Sequence, residues 1–296
     1  VFLTVYSALE NAAYPALTPS PAPSAAASAA GSPDAPNAAD GDGLLVAFLS
    51  VGQGDCIFLR SPSGKTMLVD AGPAGSFDTI SNFLDAQGVI GLDVVVASHL
   101  HADHIGSMPE VLDVYPVGTF YYPPYDVESN IYYDLLDALE RNHVAASSPV
   151  ASATSLIPWD EAISVRILSP YDVIYDDYND TSYILSISYG DTAVLLTGDA
   201  GETAEKLALK ALPNHYFRAN VLKVGHHGSR TSTSEKFLAA VDPSIALISL
   251  GADNEYGYPK DVILKRLAAR NITVYRTDTD GTVLVLLDGV SARVLE

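Results

Sequence analysis

Three histidines and one aspartate fall within six residues of the segment SHLHADHIG: His99, His101, Asp103 and His104. They follow DVVVA directly, an apolar, β-branched run of the kind that forms a buried strand. Imidazoles crowded at the end of a core strand are costly to desolvate unless something shares their lone pairs. Imidazole and carboxylate together suit zinc and similar divalent metals. In an extended segment side chains repeat every two residues, so His99 and His101 point the same way and can share one ion. Asp103 and His104 begin the next turn and can serve a second ion close by. The cluster therefore constrains the fold: a core strand has to end at a metal site.

The rest of the chain supplies the layers for such a strand. Residues 1–43 are rich in Ala, Pro, Ser and Gly, and no Lys or Arg precedes Arg60. That composition buries too little apolar surface to offset its ordering entropy, and predicts a flexible tether. The opening VFLTVYSALE is either the tail of a longer hydrophobic segment or a simple boundary. The pattern changes at Leu44. Strands are predicted in LLVAFLSV, DCIFLRS, KTMLVDAG, DVVVASH, ISVRILSP, YILSISY, TAVLLTGD, VLKVGH, IALISLG, ITVYRT and TVLVLLD. Helical spacing marks SFDTISNFLDAQGV, NIYYDLLDALERN, GETAEKLALKAL, TSEKFLAAV and KDVILKRLAAR. Strands dominate the opening and helices intersperse with strands thereafter, which predicts one layered α/β domain over 44–296.

Charge narrows the partners. Sixteen Lys and Arg against 36 Asp and Glu give a net charge of −20. Nucleic-acid binders show a basic face, because phosphate neutralisation dominates their affinity. This sequence has basic residues only singly or in isolated pairs, which argues against tight non-specific binding to DNA or anionic lipid. It leaves open a small phosphorylated substrate held by metal ions, whose charge inverts the local field. No apolar run of about 18 residues is present, so no transmembrane segment is predicted in this chain. The single cysteine, Cys56, rules out an intrachain disulfide and is expected to be buried and inert.

Further motifs follow in order: SVGQGDCIFLRSPSGKTMLVDAG, NDTSYILSISYGDTAVLLTGDA, VLKVGHHGSRTSTS, ALISLGADNEYGYP and TDTDGTVLV. Together with H-x-H-x-D-H they resemble the metallo-β-lactamase-fold hydrolases, and within these the hydrolase domain of ComEC-type competence proteins. The resemblance covers about residues 44–290. It implies a four-layer αββα sandwich and two divalent metal ions, zinc or manganese. It implies Asp199 as a carboxylate bridging both ions, His227 as a further ligand, and His226 as a group that contacts the substrate or protonates its leaving group. Asp103 is expected to be both ligand and proton acceptor.

Two positions depart from the family pattern. The usual YGHP histidine, a ligand of the second metal, is replaced by Tyr258, which would then face that metal or bind a substrate oxyanion. Ser50 stands where an Asp is common. In addition, as elsewhere in the subfamily, a histidine found in other branches is missing, and Asn179, Asp180 and Ser182 occupy that stretch. His143 is expected on the surface. Nine tyrosines in the middle of the chain either line a substrate groove or pack long loops: Tyr121, Tyr122, Tyr125, Tyr132, Tyr133, Tyr171, Tyr175, Tyr178 and Tyr183.

The reading that follows is a metal-dependent hydrolase that cleaves a small or polymeric phosphodiester with a metal-activated water. One alternative is hydrolysis of a carboxylic ester, lactone or β-lactam. The other is a non-catalytic binding module with a degraded second metal site. A secreted or surface-tethered bacterial protein is expected.

Overall fold

The computed structural model describes residues 43–295. The proposed tether, 1–43, lies outside them except for Gly43, which is buried so closely that a Cβ there would lie 2.6 Å from the Leu287 carbonyl oxygen.

In the amino-terminal half the elements are β1 (Leu44–Phe48), β2 (Ile57–Arg60), β3 (Thr66–Val69), α1 (Phe77–Ala86), β4 (Leu92–Val96), α2 (Ala102–Ile105), α3 (Met108–Val114), β5 (Val117–Tyr121), α4 (Asn130–Arg141) and β6 (Ala145–Ser147). The second half adds β7 (Leu156–Ile157), β8 (Ile163–Ser169), β9 (Ile184–Tyr189), β10 (Thr192–Leu196), α5 (Glu202–Ala211), β11 (Val221–Lys223), α6 (Glu235–Val241), β12 (Ile245–Ile248), α7 (Asp261–Ala268), β13 (Thr273–Arg276), α8 (Thr277–Asp280), β14 (Val283–Leu287) and β15 (Ala292–Val294). One sheet runs β15-β14-β1-β2-β3-β4-β5-β6 and the other β13-β12-β11-β10-β9-β8-β7.

Period-two alternation explains how these strands stack. Val46 and Phe48 of β1 face the second sheet, while Leu45 and Ala47 face the helices. Between the sheets, Leu59, Met67, Val94 and Val96 pack with Val165, Ile167, Leu185, Ile187, Val194 and Leu247. Outside the first sheet, Phe58, Leu68, Val95 and Phe120 meet Ile80, Leu84, Val111, Leu135 and Leu139 of α1, α3 and α4. Outside the second, Leu195, Leu222, Ala246 and Ile248 meet Ala204, Phe237, Leu238, Ile263 and Leu267 of α5, α6 and α7. The result is the four-layer αββα order expected from the sequence.

Each sheet is parallel where it matters for the site. β3, β4 and β5 run parallel, as do β10, β11 and β12. Their carboxyl ends lead into Asp70, into His99, into Asp199, into His226 and His227, and into Ser249. Loops leaving parallel strands at one edge are where α/β folds assemble sites.

The short elements β5, β6, β7, β15, α2, α3 and α8 lie outside the predicted segments. Cys56 is wholly buried, and burial, with Asp70 and Asp55 nearby, pushes its thiol well up. His143 is exposed. Several tyrosine hydroxyls are spent on loop backbone: Tyr183 donates to the Tyr122 and Pro149 carbonyls at 2.7 and 2.9 Å, and Tyr178 to the Tyr125 carbonyl at 2.6 Å. Those tyrosines brace the middle loops. Tyr178 additionally lays its ring 5.0 Å from that of His101.

Candidate metal centre

The histidine segment leaves β4 extended and turns into α2 at His101, whose backbone is still extended at φ −79 and ψ 153. His99 Nε2 and His101 Nδ1 come within 3.0 Å of each other. That spacing suits a hydrogen bond or two ligands on one ion. The short α2 then swings Asp103 and His104 onto the next side of the site.

Opposite, Gly198 and the β11 loop deliver the remaining groups. Gly198 adopts φ 48, and a Cβ there would sit 2.8 Å from Ser98 Oγ, so glycine lets the two sheets' loops close together. His226 and His227 are both left-handed, at φ 48 and 52. For non-glycine residues this conformation costs about 1–3 kcal/mol each, strain of the kind that collects at functional sites. It sends the two adjacent rings different ways. His227 is buried and His226 is partly exposed at the rim.

Asp103, His104, Asp199 and His227 converge, each offering one ligand atom, with all four atoms within 4.8 Å of one another. His104 Nε2 is 3.3 Å from Asp199 Oδ1, and His227 Nε2 is 3.3 Å from Asp103 Oδ2 and 3.5 Å from Asp199 Oδ1. His104 Nε2, His227 Nε2 and Asp199 Oδ1 are all buried without a hydrogen-bond partner. Buried polar atoms are seldom left so, and three aimed at one point fit an ion they would share. The donor set of two imidazoles and two carboxylates is suited to zinc or manganese.

The far nitrogens of both rings are tied down. His104 Nδ1 lies 2.8 Å from Asp70 Oδ2, and His227 Nδ1 donates to the Ser249 carbonyl at 2.8 Å. Each ring thus keeps its Nε2 lone pair for the cluster, the usual backing of metal-binding histidines. Electrostatics agree. Burial lowers the basicity of His104, but Asp199, Asp70 and Asp103 outweigh it and hold its pKa well above the ordinary value. The same contest raises His227, where burial is opposed by Asp199 and Asp103. Burial works against the charge on Asp103 and Asp199, yet the imidazoles keep both acids anionic, with pKa values below the usual range. Burial, then the positive field of His104, pushes His99 well down, so that it stays neutral. The pocket therefore attracts positive charge.

Behind this group lie residues not singled out from the sequence. Asp55, Asp70 and His104 form a second buried group able to hold a cation. Lys223 is fully buried, with its ammonium 2.5 Å from Asp55 Oδ2. The available signal was a charge inside an otherwise apolar strand, VLKVGH.

Tyr258 packs against His226, with rings 5.8 Å apart, and stacks on Tyr256 at 5.4 Å. The stretch holding Asn179, Asp180 and Ser182 supplies support. Asp180 accepts the Gly201 and Ala204 amides at 2.9 and 3.2 Å, capping α5, and Ser182 Oγ accepts the Asp199 amide at 3.2 Å. Ser50 Oγ donates to the Thr277 carbonyl at 3.0 Å.

A family model described as the metallo-beta-lactamase superfamily matches residues 49–252. ComE operon protein 3 of Bacillus subtilis is 30% identical over 255 residues, 80% of this chain and 32% of that protein. Recombination protein 2 of Haemophilus influenzae is 30% identical over 245 residues, 81% of this chain and 28% of that protein. The chain thus spans about a third of the length of these curated relatives. The crystal structure of the metallo-beta-lactamase fold protein YhfI from Bacillus subtilis superposes with a TM-score of 0.52 at 13% identity, over 79% of this chain and 95% of that one, a likeness of fold.

Proposed function

The chain belongs to the metallo-beta-lactamase superfamily, and from that premise we propose that it is a metal-dependent hydrolase of phosphodiesters, extracytoplasmic in location. The observation that carries the reading is the convergence of His104 Nε2, His227 Nε2 and Asp199 Oδ1, buried and unpartnered, beside the Asp103 carboxylate. Asp103, His104, Asp199 and His227 would hold one divalent ion, zinc or manganese, and His99 and His101, whose ring nitrogens lie 3.0 Å apart, would hold the other.

When bound, such ions supply Lewis acidity and a water that ionises near neutral pH. The chain's own groups do the rest. Asp103 is kept anionic and is partly exposed, so it can accept a proton from water on the open side of the site. His226 stands at the rim with Nε2 3.6 Å from Asp199 Oδ2. Burial lowers its pKa, with Asp199 pulling the other way, and a neutral ring there donates one N–H to a phosphoryl or leaving oxygen. Tyr178 and Tyr258 flank the two ends, against His101 and His226.

The HHGS motif and the resemblance to ComEC-type proteins favour phosphodiesters over carboxylic esters. A relative named as a recombination protein points towards nucleic acid as substrate, and the net charge of −20 favours a short or wall-linked phosphodiester over a long polyanion. Elemental analysis of the purified chain, followed by assay on bis-p-nitrophenyl phosphate and a lactone, tests the reading. Two metal equivalents with phosphodiester turnover support it. Lactone turnover alone assigns the site to ester hydrolysis, and a chain without metal or turnover is a binding module.

A further inference from the structure

The chemistry above leaves unused a lysine sealed inside the centre. Lys223 ends β11 and its side chain is 0% exposed. Its ammonium lies 2.5 Å from Asp55 Oδ2, donates to the Gly198 carbonyl at 3.0 Å, and stands 3.8 Å from Asp199 Oδ1. Burying an ammonium is costly unless its charge is used, and an aliphatic side chain would fill the same space without that cost.

The charge is used by a specific group. Asp55, Asp70 and His104 are all buried and present ligand atoms within 4.8 Å of one another. Asp55 also faces both backing nitrogens of the main cluster, at 3.8 Å from His104 Nδ1 and 3.6 Å from His227 Nδ1. His104 belongs to both groups. Left to itself, the Asp55 side would compete for the same divalent ions and for the same imidazole. A cation is already there, covalently part of the chain.

We propose that Lys223 is a positioning residue acting as a built-in cation: it fills the Asp55–Asp70–His104 group, keeps divalent ions out of it, and so directs them to Asp103, His104, Asp199 and His227. The ammonium is ion-paired with Asp55 on one side and donates to the Gly198 carbonyl on the other, so it also fixes the turn that carries Asp199. This role rests on the reading that the group of Asp103, His104, Asp199 and His227 holds metal.

Equilibrium dialysis of the full chain against zinc, with elemental analysis, and the electronic spectrum of the cobalt-substituted protein test it. Lys223→Met is expected to bind one more zinc equivalent than wild type and to add a second component to the cobalt spectrum. The charge-free pair Asp55→Asn with Lys223→Met is expected to return to the wild-type equivalents and spectrum. If Lys223→Met is unfolded without zinc, excess zinc should restore its fold, and the double variant should fold without that excess. Unchanged stoichiometry and spectrum in Lys223→Met overturn the inference, as does failure of zinc to restore an unfolded Lys223→Met. A wild-type chain that binds no divalent ion overturns the metal reading itself and this role with it, which separates that failure from one confined to Lys223.

Discussion

Asp70 Oδ2 lies 2.8 Å from Nδ1 of His104, so the imidazole at the heart of the cluster is held from behind by a buried carboxylate. Asp70 is itself fixed, accepting the Ser98 amide at 2.6 Å and the Ser98 hydroxyl at 2.7 Å. The pair sets which nitrogen of His104 carries the proton and which faces Asp103 and Asp199. Asp70→Asn keeps the shape but can present an N–H to that nitrogen and free the ring to turn. Zinc affinity is expected to fall by about 10–100-fold with no ligand removed. Competition titration against a chromogenic chelator reads this directly, and an unchanged affinity would show that Asp70 does not orient His104.

Metal removal should destabilise the domain. Without an ion, His104 Nε2, His227 Nε2 and Asp199 Oδ1 remain buried and unpartnered. An ion that binds only the folded chain, present at a hundred times its dissociation constant, stabilises by about 3 kcal/mol. For a domain of this size that is a melting shift of roughly 5–10 °C. Thermal scans with and without chelator, followed by zinc addition, measure it. A midpoint indifferent to chelator and zinc would mean that the cluster holds no ion.

Glu205 predicts a pH dependence away from the metal site. It is buried on α5 and accepts the backbone amides of Thr233 and Ser234, the latter at 3.0 Å, just ahead of α6. Burial outweighs those bonds and raises its pKa from 4.5 to about 7. The native chain therefore holds this proton more tightly than the unfolded chain. The resulting stabilisation is complete below about pH 4.5 and is lost as pH rises through about 7. Glu205→Gln cannot ionise, though it loses one acceptor at every pH. Relative to that variant, wild type should lose about 3 kcal/mol across the window, as the linkage of pKa to stability requires. Denaturant unfolding at pH 4, 6 and 8 would test it, and parallel curves for the two proteins would sink the idea.

These behaviours differ in how far they were legible in the sequence. His99, His101, Asp103 and His104 were readable because one strand end presents them together and their types share one chemistry. The layers were readable because runs such as LLVAF and TAVLL are long enough to show a strand signal. Asp55, Asp70 and Lys223 were not, since each is a single polar residue at the edge of an apolar run and their meeting depends on both sheets closing. β5 was missed because VGTFY is only partly buried, with Phe120 its one fully covered side chain. Asp180 was noticed only as a position where a histidine was absent, and its capping of α5 is a matter of three-dimensional contact.

Tyr258 stands where the family pattern has the YGHP histidine. Its loop is pinned internally: the Tyr258 amide donates to Asn254 Oδ1 at 2.8 Å, and the Asn254 side-chain amide returns a bond to the Tyr258 carbonyl at 3.0 Å. The ring lies edge-on to His226 at 5.8 Å, and its other neighbours are Tyr256 and the Lys260 ammonium, 5.2 Å from the ring centroid. Tyr258 thus bears on the rim histidine. Tyr258→His is expected to leave zinc stoichiometry and affinity unchanged. Tyr258→Ala should lower phosphodiester turnover by about tenfold through looser placement of His226, short of the 10²–10⁴ expected for removing a general acid–base group outright. Parallel zinc titrations and steady-state kinetics on both variants decide the point. If Tyr258→His tightens zinc binding while turnover is unaffected, the side chain does reach the metal and its pairing with His226 is incidental.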